Sequence, residues 1–133
     1  MHLILCVDER DGLSFCGRRL SRDSRLIDHI LAFTAGHTLW IHPSSAKLFS
    51  GKAVMADEQF QKKAGQGDYC FVETRPLELD TEKWESVTLY CWNRAYPATV
   101  KFDRNLLQSF HLTHREEFPG SSHENLTMER YSL

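Results

Sequence analysis

Leu3-Ile4-Leu5-Cys6-Val7 is an unbroken apolar run, and the polar segment after it carries Gly12, Gly17 and the pair Arg18-Arg19 before reaching Asp23. Five apolar residues without alternation suit a strand covered on both faces. Beyond the polar segment, Leu26, Ile27, Ile30, Leu31 and Phe33 recur at helical spacing, so residues 22–33 read as an amphipathic helix. A buried strand, a long loop and a carboxylate at a helix start make an active-site layout.

The 133 residues are enough to bury a core without disulfides or metal, and they read as one domain spanning 1–133. Apolar content of 41% and charged content of 26% are those of a globular protein. A formal net charge of −2 argues neither for wholesale nucleic-acid binding nor for an acidic tail. The N-terminus has no basic n-region, its apolar run is too short for a signal peptide, and no segment approaches the ~20 apolar residues of a membrane helix. A cytoplasmic location is the expectation. The cysteines at 6, 16, 70 and 91 have no Cys-x-x-Cys spacing, and three of them lie in apolar strand-like runs, so free buried thiols are expected.

The first half alternates strands and helices. Residues 38–41 and 69–72 are further short apolar runs, and residues 87–92 mix β-branched and aromatic side chains. Between them, Ser44 after Pro43 predicts an N-cap for a short helix ending near Gly51, and residues 57–64 predict a helix stopped by Gly65. Residues 74–82 are the longest loop-like piece. Residues 109–114 and 126–131 alternate and flank Phe118-Pro119-Gly120-Ser121-Ser122, which predicts an antiparallel terminal pair. Crossover helices imply parallel pairing earlier, so the expected fold is a three-layer α/β domain with a mixed, mostly parallel central sheet.

Asp23 is the first candidate catalytic residue. On a helix starting near Arg22 it shares the inward face with Ile27 and Ile30, where desolvation would raise its pKa and let it bind a ligand or relay a proton. The plain alternative is that Asp23 or Ser21 caps the helix. Arg18, Arg19, Arg22 and Arg25 crowd beside that helix start and suit a phosphate or carboxylate. They equally suit a solvated face neutralised by Asp8, Glu9, Asp11 and Asp28. His111 and His114 on a regular strand point to opposite faces, which spoils chelation; His29 reads as a surface residue and His123 as a hydrogen-bonding turn residue. No metal site is expected. Gly-x-Ser-x-Gly, Gly-x-Gly-x-x-Gly and Walker-type loops are absent, and Trp40, Trp84 and Trp92 read as core.

With these pieces placed, the chain resembles a shortened, divergent member of the dihydrofolate reductase fold. Leu3 to Asp8 with Gly12 and Gly17 is similar to that family's first strand and mobile loop. Leu20-Ser21-Arg22-Asp23 is similar to its Leu-Pro-x-Asp/Glu approach to the first helix, which implies Asp23 as the pterin-binding acid. Asp57-Glu58, Gly65 and residues 69–72 resemble its later helix–strand unit. Residues 86–90 through Phe102-Asp103 resemble the strand and loop that follow, and Ser122-His123 with Met128-Glu129-Arg130 resembles its final strand.

The departures shape the functional expectation. His42-Pro43-Ser44-Ser45 stands where the family has Gly-Arg-x-Thr gripping cofactor phosphate, Glu73-Thr74 replaces its Gly-Gly turn, and Arg18-Arg19 replaces its Pro-Trp. Close backbone approach to a pyrophosphate needs glycine, and Glu73 brings negative charge towards it. The resemblance therefore implies a cleft binding a small anionic or heterocyclic ligand, such as a nucleotide, through Asp23, Arg18, Arg19, Arg22, Ser44 and Ser45, without a standard NADPH site. The alternatives are an NADPH-dependent reductase of a pterin-like or other heterocycle with a rebuilt phosphate site, and a non-enzymatic module docking an acidic protein or RNA on its arginines. The chain also resembles small Gram-positive bacterial proteins with a Val-Asp-(Asp/Glu)…Gly-Arg-Arg…Ser-Arg-Asp pattern, relatives of which are sometimes labelled ribonuclease Z. That activity needs His-x-His-x-Asp-His, which is absent here.

Overall fold

The computed structural model describes residues 1–14, 23–49, 54–73, 76–92, 100–120 and 125–133. The opening apolar run forms β1 (His2–Val7), which lies inside a seven-stranded sheet. Its neighbours are β5 (Tyr69–Val72) and β6 (Ser86–Trp92), both parallel to it. β3 (Leu39–Ile41) pairs parallel with β5 and with β4 (Met55–Ala56) at one edge. On the other side β9 (Leu126–Ser132) runs antiparallel to β6, and β8 (His111–Phe118) antiparallel to β9 at the far edge. The order is β4-β3-β5-β1-β6-β9-β8, a mixed and mostly parallel sheet with an antiparallel C-terminal pair. β2 (Gly12–Ser14) and β7 (Val100–Lys101) form a separate two-stranded antiparallel ribbon.

Both faces of the sheet are covered, which is why β1 carries no polar alternation. Ile4 and Cys6 join Leu26, Ile27 and Ile30 of α1 (Ser24–Phe33), together with Phe49, Phe71, Tyr90, Trp92 and Met128. Leu3, Leu5 and Val7 face the opposite way, towards Phe60, Ala64, Trp84, Leu89, Phe102 and Leu107. Trp84 and Trp92 are buried core residues, whereas Trp40 is half-buried and donates its indole N–H to Asp68 at 3.0 Å. No helix among the described residues is long and apolar enough to cross a membrane.

Several local expectations are corrected. The helix expected from a Ser44 cap is a 3-10 segment, Pro43–Phe49, and Ser44 does not cap it. Instead the His42 imidazole Nδ1 takes the Ser44 N–H at 3.0 Å, and Ser45 N–H reaches the His42 carbonyl at 2.9 Å. The helix expected over 57–64 shrinks to α2 (Phe60–Lys63), because Asp57 closes a turn by accepting the Gln59 N–H at 2.7 Å. The left-handed glycine after it is Gly67, at φ 80°, rather than Gly65. Within the expected loop at 74–82, Thr81–Lys83 is a 3-10 turn, and the buried Gln61 amide ties the loop down through Pro76 O and Glu78 N.

β8 starts later and runs further than 109–114, through Arg115-Glu116-Glu117. An edge strand exposed on both sides needs no apolar alternation there. Its register shifts between Leu112 and His114, leaving Thr113 as an extra residue. His111 therefore pairs with Ser132 and His114 with Arg130, two residues apart on β9, so the two histidines share a face. The expectation of opposite faces fails because of this bulge.

Candidate ligand-binding cleft

β1, β3, β5 and β6 run parallel, so Val7, Ile41, Val72 and Trp92 end at one edge of the sheet. Ligands of open α/β sheets sit outside this carboxyl edge. α1 carries the chain back along the sheet. At its C-terminal end Phe33 and the following His37 touch Tyr69, the first residue of β5, which also stacks on His2. Its N-terminal end, with Asp23, accordingly lies at the carboxyl edge.

Asp23 is extended (φ −142°, ψ 122°) and caps α1. Its Oδ1 accepts the N–H groups of Arg25 at 2.9 Å and Leu26 at 3.2 Å. It is 3% exposed and on the same inward side as Ile27 and Ile30. Capping and the inward placement read from the sequence therefore occur together.

Two further carboxylates are buried at the same edge. Glu73 follows the last residue of β5 and is 8% exposed. Leu5 pairs with Val72, so the next position sets Glu73 against Cys6, on the face that α1 covers. Burial pushes the Cys6 thiol well up, and the Glu73 charge pushes it further. Asp8 follows β1, and its Oδ1 takes the Arg10 N–H at 2.8 Å and the Gly12 N–H at 2.7 Å. Asp8 is 2% exposed, which corrects its reading as part of a solvated face. Asp11, read the same way, pairs with Arg104 instead. Among the described residues, Asp8, Asp23 and Glu73 are the buried acidic or basic side chains.

No protein-family model matches the chain, and no curated protein does either.

Of the other expected site residues, Ser44 is exposed and bonded to His42. Ser45 is 1% exposed, and its hydroxyl has no hydrogen-bond partner among the described residues. A buried hydroxyl left in that state costs free energy that a bound ligand can recover. Arg18, Arg19 and Arg22 lie outside the described residues, as do Ser21, Ser122 and His123. The structure thus brings Asp23 and Ser45 to one edge and adds Asp8 and Glu73. Asp8 was legible as the polar residue closing a buried strand, but only its burial separates it from the neighbouring Glu9, which is exposed.

Beside Asp23 an open recess of about 480 Å³ is lined by Ser24, Arg25, Asp28, His29, Phe118 and Pro119. His29, expected at the surface, is instead clasped between sheet and edge. Its Nδ1 lies 2.8 Å from the Tyr90 hydroxyl, its Nε2 lies 2.7 Å from Glu116, and its ring stacks on Phe118 at 4.3 Å. Among the described residues no three His, Cys, Asp or Glu side chains are placed to hold a metal ion. Chemically, buried carboxylates at a sheet edge recognise N–H donors, and a charge-assisted bond there is stronger than one between neutral groups.

Proposed function

We propose that this protein binds a small heterocyclic ligand in a dihydrofolate-reductase-like cleft, with Asp23 as the carboxylate that recognises the ring and without a standard NADPH phosphate site. The observation that carries this reading is the burial of Asp23, Glu73 and Asp8 at one carboxyl edge. Buried carboxylate oxygens at this edge suit a ring presenting N–H groups, or a protonated ring, as a pterin-like heterocycle does. The Asp23 cap of α1 and an antiparallel terminal pair support the fold resemblance. Glu73 supports the loss of the cofactor site. It stands buried where the family's resemblance calls for glycine, and its side chain bars the close backbone approach that a pyrophosphate needs.

Thermal unfolding in the presence of pterin-like heterocycles, and separately of NADPH, tests this reading. A heterocycle at about one hundred times its Kd adds about 2.7 kcal/mol of stability, a readily measured rise in Tm. The proposal expects such a rise with a heterocycle and none with NADPH at millimolar concentration. A rise with NADPH alone would favour the reductase with a rebuilt phosphate site and overturn the proposal.

A further inference from the structure

The amino edge of the same sheet face, away from the cleft, gathers cationic and imidazole groups around aromatic rings. Arg130 on β9 lies over the Phe33 ring, its guanidinium carbon 5.2 Å from the centroid. Phe33 meets Tyr69 edge-on at 5.5 Å, His37 meets Tyr69 at 5.4 Å, and His2 stacks on Tyr69 at 4.7 Å. His114 is the register partner of Arg130 across the β8–β9 pair, and the Thr113 bulge brings His111 onto the same face.

Arg130 is only partly exposed, yet among the described residues its guanidinium meets no carboxylate or carbonyl acceptor. Arg104, by contrast, pairs with Asp11, and the partly exposed Lys83 reaches the carbonyls of Gln61 and Lys62. Stacking on an aromatic face leaves the donor edge of a guanidinium open to a bidentate acceptor.

We propose that Arg130, on a face that also carries His2, His37 and His114, is a binding site for a tetrahedral oxyanion such as a phosphate group, strengthened by proton uptake on the histidines. The site is independent of the cleft at the carboxyl edge. The charged groups around it come from every neighbouring element. Met1 supplies the N-terminal ammonium and β1 supplies His2, and Glu85 before β6 holds that ammonium at 2.9 Å. α1 supplies His29, whose Nε2 faces Glu116 of β8, and Glu116 also takes His114 at 3.3 Å. At neutral pH the two cations and two carboxylates offset one another. Each imidazole that takes up a proton adds a positive charge to this face, which then favours an anion. Burial holds His2 below the ordinary histidine range against the opposing Glu85 charge, with a smaller push from Arg130, so a bound anion beside them draws a proton in.

The test uses the full chain and imidazole NMR signals, titrated with sulfate, whose charge is constant over the range, at fixed ionic strength. Saturable shifts of His2, His37 and His114 are expected, with affinity at least about tenfold higher near pH 5.5 than near pH 7.5. Arg130→Gln should abolish the shifts at both pH values. His37→Gln, at an exposed side chain, should weaken binding at acid pH alone. Parallel arms with inorganic phosphate and methyl phosphate near pH 5.5, where both are largely monoanions, distinguish a free anion from a phosphate ester. Absence of saturable shifts in the native chain, or unchanged sulfate affinity in both variants, would overturn the proposal.

Discussion

Arg104 and Asp11, 93 residues apart, are joined by two contacts of 2.9 Å from Nε and Nη2 to one carboxylate oxygen. Nη1 donates to the Tyr131 hydroxyl at 3.0 Å and lies 3.5 Å from Glu129. Asp11 has φ 61°, a left-handed conformation that a non-glycine residue rarely adopts unless held. The Asp11 carbonyl also accepts the Phe102 N–H at 2.7 Å. This clamp fixes the turn between β1 and β2 against the segment that follows β7 and against β9.

Arg104→Gln should therefore loosen that segment while leaving the sheet intact. Global stability should fall by no more than about 1 kcal/mol, since the pair is partly solvated. Amide exchange at Phe102 and Gly12 should accelerate at least about fivefold, while β1 amides stay protected. Unchanged exchange at both amides would show that the ribbon holds without the clamp.

Asp23→Ala should lower stability by about 1 kcal/mol in urea unfolding, because the Arg25 and Leu26 N–H groups lose their acceptor. Asp23→Asn should cost only a few tenths, since asparagine caps as well as aspartate. Equal losses in the two variants would mean that the charge, rather than the cap, stabilises the helix.

Cys6, Cys70 and Cys91 are free thiols, the first two buried and the third partly so. Burial pushes Cys70 and Cys91 up to about 12, and Cys6 well above its ordinary value. Near pH 8 the thiolate fraction of Cys70 and Cys91 is about 10⁻⁴, against roughly a quarter for an exposed thiol. Alkylation followed by peptide mass spectrometry should find both unmodified in the folded protein and modified in denaturant. Rapid native labelling of Cys70 would contradict the packing described.

Stability should fall with acid in two stages. Burial, helped by Arg130, the N-terminal ammonium and His37, holds His2 low against the opposing Glu85 charge. Hydrogen bonds from His29 and then His114 hold the Glu116 carboxyl low, and those from Gly67 and the N-terminal ammonium hold Glu85 low. A group depressed in the folded state stabilises above its unfolded value and loses that contribution as pH falls through the folded one. The His2 contribution should fade below about pH 6.5 and the carboxylate contributions below about pH 4.3. His2→Gln should remove the upper stage alone in urea midpoints measured across pH; persistence of that stage would assign it elsewhere.

The sequence made the buried strands and the first helix legible because their apolar periodicity is set by the sheet they cover. Asp23 could be placed on the inward side of α1 from spacing alone, and its dual use as cap and buried carboxylate follows from that spacing. Strand order was not legible, since β1 reads the same beside any parallel neighbour. β2, β4 and β7 span only two or three residues and leave no periodic signal. The Thr113 bulge, which turns His111 and His114 to one side, depends on pairing with β9 and has no mark in the sequence. Glu73 was legible as a charge in the place of glycine. Its burial was not, because that depends on α1 covering the strand end.

Calorimetric titration of a pterin-like heterocycle into the native chain and into Asp23→Asn tests the central claim most directly, because asparagine keeps the cap and removes the charge. Binding to the native chain, weakened at least about tenfold (about 1.4 kcal/mol) in a variant of nearly unchanged stability, is the result expected. Equal affinity in the two proteins, or no binding to the native chain, would contradict it.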